Sequence, residues 1–78
     1  MISSDQRVAF LMLVATGTPI VHDHDSWVVG GGFVTDEPLI HVLDWLLDAD
    51  QVAVSPESHR ARITMSGRDE LDHWLITL

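Results

Sequence analysis

Few residues in this chain have the types and spacing for chemistry. His22-Asp23-His24-Asp25 alternates two imidazoles with two carboxylates. On extended backbone that alternation puts both histidines on one strand face and both aspartates on the other. Two histidines fall short of the four ligands of a closed zinc site, so the segment reads as a polar loop and no metal is expected. Gly30-Gly31-Gly32 has the composition of a phosphate cradle. No Lys or Arg lies near it, however, and Asp36 and Glu37 guard the helix that follows. Phosphate is repelled there, and a hairpin turn is expected. The chain has no Cys, Lys or Tyr, and its Ser, His and Asp residues show no nucleophile elbow. No catalytic residue and no cofactor are expected, and the protein reads as a non-enzyme.

Charge carries more information than any motif. The 78 residues hold 4 arginines against 12 carboxylates, a formal charge of −8. From Val8 to His59 there is no Lys or Arg, and eight carboxylates fall in that stretch. The downstream bases are Arg60, Arg62 and Arg68. Such a balance argues against a broad nucleic-acid-binding surface, which needs cations to displace counterions. Two readings stay open. The acidic face is a solvated surface that confers solubility, or it attracts a basic partner and imitates the phosphates of a nucleic acid. In the second reading Glu37, His41, Asp44 and Asp48, spaced 4-3-4, line one stripe of a helix. Asp23, Asp25, Asp36 and Asp50 extend the stripe, and Trp45 beside it is the expected partly exposed anchor. Of Trp27, Trp45 and Trp74, at least two are expected to be structural.

These residues need elements to hold them. Val8–Ala15 is apolar on every face, which predicts a helix over 4–15 that is buried or covered by a partner. Ser3 and Gln6 fit a capping box, and Gly17 and Pro19 end the helix. Residues 20–34 read as extended chain with a glycine-linked hairpin. A second helix is expected over 36–48, with Thr35 as N-cap, Pro38 in the first turn, and Leu39, Ile40, Val42, Leu43, Leu46 and Leu47 facing inward. A hairpin follows, from Gln51–Val54 and Arg60–Met65, with Ala61, Ile63 and Met65 on its inner side. The third helix is expected to start at Ser66, with Leu71, Trp74, Leu75 and Leu78 on its apolar face. The longest apolar run has eight residues, well short of the ~20 that span a bilayer. A cytoplasmic protein without a membrane segment is expected.

The order helix, extended segment, helix, β-hairpin, helix resembles a winged-helix domain. Residues 38–76 carry the likeness and are similar to the second half of MarR- and PadR-type regulators. The most specific match is Ile63-Thr64-Met65-Ser66-Gly67-Arg68-Asp69-Glu70-Leu71, similar to an L-T-x-x-G-R-x-x-L ending. It is a packing and capping signature. The resemblance implies a single α+β domain over 1–78, with the hairpin as wing. Two departures matter. The glycine-rich segment stands where a helix should precede the recognition helix, and the helix in the recognition position is acidic. The family's DNA contacts therefore do not carry over to that helix. Only the wing residues Arg60 and Arg62 keep a DNA-compatible charge.

The expectation is a small acidic modulator that binds a basic or nucleic-acid-binding protein, with no direct nucleic-acid contact. In size and charge it is similar to small phage-encoded inhibitors, anti-CRISPR proteins among them. The competing expectation is a winged-helix transcription regulator that binds DNA through Arg60 and Arg62 as a homodimer joined by helix 1.

Overall fold

A computed structural model describes residues 4–77. Ser3 and Leu78, and with them the expected capping box and the last position of the third apolar face, lie outside those residues. The elements are α1 (Ser4–Ala15), β1 (Ile20–Asp23), β2 (Ser26–Val29), β3 (Gly32–Phe33), α2 (Glu37–Asp48), β4 (Val52–Val54), β5 (Ala61–Ile63) and α3 (Met65–Thr77). The fold is a small α+β arrangement of three helices and two antiparallel sheets.

Glycine ends α1 as expected. Gly17 takes positive φ, its N–H donates to the Val14 carbonyl, and the Thr18 N–H donates to the Leu13 carbonyl. This pair of bonds is a Schellman termination. The extended segment forms a three-stranded meander, β1-β2-β3, and so contains two turns where one was expected. Gly30 and Gly31 make the β2–β3 turn, both at positive φ, the condition for a type I′ hairpin. The β1–β2 turn uses His24-Asp25, with His24 at positive φ. His24 is therefore in a turn, and it does not share a strand face with His22.

Opposed pairs Ile20↔Val29 and His22↔Trp27 place these four residues on one face of the meander. That face is the inner one, because Ile20 and Trp27 are buried. Val28 pairs with Phe33 on the other face, and Phe33 is 74% exposed. A bridge between Val21 and Arg60, with His22 N–H donating to the His59 carbonyl at 2.9 Å, joins the meander to the β4–β5 hairpin.

Helix α2 begins at Glu37, with Asp36 and not Thr35 as N-cap. Pro38 holds the second helical position, where its missing N–H would have no intrahelical acceptor. The helix ends in a second Schellman pair: Asp50 N–H to the Leu47 carbonyl and Gln51 N–H to the Leu46 carbonyl. Asp50, at positive φ, occupies the place usually given to glycine.

At the α3 start the N-cap is Thr64, not Ser66. Its hydroxyl accepts the Gly67 N–H at 3.1 Å and donates to the Asp50 carbonyl. Met65 thus opens the helix at 85% exposure and does not continue the inner side of β5. Gly67 lies where α3 touches the chain leaving α2. A Cβ there would stand 2.1 Å from the Gln51 carbonyl oxygen.

One core joins every element except β3. Phe10 and Leu11 come from α1, Ile20 from β1, Trp27 from β2, and Val42, Leu43 and Leu46 from α2. Val52, Ala61 and Leu71 complete it from β4, β5 and α3. Helix α1 packs against α2, α3 and β5, yet Met12 and Leu13 stay exposed on it. Leu75 and Ile76 of α3 are exposed as well. No helix among the described residues is long and apolar enough to cross a membrane.

Gly67→Ala is expected to lower unfolding free energy by about 3 kcal/mol, because the facing group is backbone and cannot rotate away. Ser66→Ala, at an exposed position that caps nothing, should stay within about 0.5 kcal/mol of wild type. Urea denaturation of both variants measures the contrast.

Candidate functional site

Asp44 forms the centre of the acidic stripe, and it is not a freely solvated carboxylate. It is half-buried, and its Oδ1 accepts the indole N–H of Trp27 at 2.8 Å. Trp27 is only 1% exposed, so its N–H has no access to solvent and needs a protein acceptor. The bond ties α2 to β2 and fixes the direction of the carboxylate. His22 stacks on the same indole, with ring centroids 4.3 Å apart and planes 19° from parallel. Imidazole, indole and carboxylate thus form a connected row from the meander to α2.

At the next position of α2, Trp45 is half-buried, and the Arg7 guanidinium of α1 lies 4.6 Å from its ring centroid. Such a contact is a cation–π interaction. Glu37, His41 and Asp48 are exposed. Asp48 has no hydrogen bond or ion pair among the described residues, and the second oxygen of Asp44 has none either.

His41, Asp44, Trp45 and Asp48 border a groove of about 710 Å³, which Glu37 does not line. Gln6 of α1 contributes to it, with Pro38, His41, Val42, Asp44, Trp45 and Asp48 of α2. The α2 residues recur at three- and four-residue intervals, so the groove follows one face of the helix for about 15 Å. The structure brings His41, Asp44, Trp45 and Asp48 together as the sequence spacing implies. Glu37 and Asp36 stand at the start of the helix and Asp50 just past its end. Asp23 and Asp25 are exposed at the β1–β2 turn. In that turn His24 Nε2 lies 3.8 Å from Asp23 Oδ1, and both side chains are well exposed. No group of three or more His, Cys, Asp or Glu side chains among the described residues could hold a metal ion.

The wing arginines differ from each other. Arg60 donates from Nη2 to the Gly17 carbonyl at 3.0 Å, clamping the start of β5 to the end of α1. Its partner is thus a backbone carbonyl and not a carboxylate. Arg62 is exposed beside a second groove of about 460 Å³, which runs between the end of α1 and the β4–β5 hairpin.

The sequence alone did not show the Trp27–Asp44 bond, the Arg7–Trp45 stack or the Arg60 clamp. Each joins residues far apart in the chain, and only the first left a signal: a tryptophan inside a β-prone run requires an acceptor for its N–H.

Asp44→Ala is expected to destabilise the fold by about 2 kcal/mol, since it leaves a buried indole N–H unsatisfied. The Trp27 indole proton should also lose its protection in hydrogen exchange. Both effects are measurable by urea titration and NMR. The chain matches no family model, no curated protein and no solved structure, so the reading of function rests on this geometry.

Proposed function

We propose that the protein is a small acidic, non-enzymatic modulator that binds a basic protein partner through the α2 face, on a winged-helix-like frame. The observation that carries this reading is the position of Asp48 and Asp50. They stand at the C-terminal end of α2, where the helix dipole is negative and basic side chains are favoured. No basic residue lies in the last turn of any of the three helices. Asp48 stands against the dipole, which lowers stability, and a local rule broken without an evident folding gain points to function. Asp50 adds to the same negative charge, although its side chain also suits the positive φ it holds. They also lie beside Trp45, an amphipathic side chain of the kind that anchors interfaces.

Arginine use supports the same reading. Arg7 is engaged on Trp45 and Arg60 on the Gly17 carbonyl. Arg62 and Arg68 remain to meet phosphates, while the stretch from Val8 to His59, with eight carboxylates and no Lys or Arg, concentrates negative charge. That field accelerates encounter with a basic surface such as a nucleic-acid-binding groove. The element order, with β1 bridged to β5, supports the winged-helix-like arrangement.

The second reading, a DNA-binding regulator dimerised through α1, draws on the exposed Met12 and Leu13 and on the exposed Arg62. Its weakness is that Arg60 already has an internal partner.

The double variant Asp48→Lys/Asp50→Asn separates these accounts, because Asn tolerates the positive φ at position 50. It should unfold at higher urea, a gain of about 0.5–1 kcal/mol, yet lose a partner captured at low salt. Wild-type binding should weaken steeply as salt rises. Binding that ignores both salt and the double variant sinks the proposal. A duplex gel shift at low salt that disappears in Arg62→Ala would favour the regulator.

A further inference from the structure

We draw no further inference here: the strongest candidate, the exposed apolar stripe of α1 formed by Ala9, Met12 and Leu13, is an unpartnered helix face, and nothing in the structure shows what covers it.

Discussion

The buried indole N–H of Trp27 is the constraint on which the rest of the arrangement depends. A tryptophan at 1% exposure contributes a large apolar surface to a small core. It also brings in a donor that water cannot reach. Asp44 is the acceptor, and meeting that demand sets the position of α2 against the meander. Once α2 is fixed, its 3.6-residue period determines the remainder: Val42, Leu43 and Leu46 turn into the core, while His41, Trp45 and Asp48 turn to the groove. A folding requirement and a surface property therefore share one carboxylate, so Asp44 cannot be changed to alter one without the other.

Charge works against this fold in two ways. A net charge of −8 on 78 residues favours expansion by self-repulsion. The carboxylates at the end of α2 add an unfavourable dipole term. The structure offsets these costs with specific bonds more than with ion pairs. Arg60 takes a backbone carbonyl at the end of α1, where a cation is favoured by the dipole of that helix. Arg7 takes an aromatic face. The partner of Arg60 is thus a backbone carbonyl and not a carboxylate of the α2 groove. Were the acidic residues only solubilising, placing them at helix N-termini would serve equally well and add stability.

Much of the fold was legible because it rests on local rules. Helix α1 ends where Gly17 permits it, Pro38 locates the start of α2, and Ala61-Arg62-Ile63 shows its alternation directly in burial. Errors arose where a local signal had two solutions. Thr35 and Asp36 are both good caps, and the second won. Ser66 and Thr64 are likewise both cap formers, and the choice fell to Thr64 because its hydroxyl also reaches the Asp50 carbonyl. His24 looked like a strand residue because alternation continued through it, yet the chain turned at His24-Asp25 without glycine. The acidic stripe was readable from spacing alone. The pairing of Asp44 with Trp27 was not, since seventeen residues separate them and period arguments do not extend across elements.

The Thr64-x-x-Gly67 segment shows how a sequence signature reduces to geometry. Thr64 caps α3 and, through the Asp50 carbonyl, bonds to the end of α2. Gly67 then lets α3 approach the Gln51 carbonyl closer than any side chain allows. Both contacts fall on the same short stretch, Asp50-Gln51, which also completes the Schellman end of α2. The end of α2 is therefore held from inside its own helix and from α3 at once. That double restraint explains how Asp50 keeps positive φ without glycine's freedom. It also keeps the C-terminal turn of α2, and with it Asp48, from fraying, as a helix end with two misplaced carboxylates otherwise would. A helix end held from both sides keeps its charges in one geometry, which is what the proposed interaction requires of it.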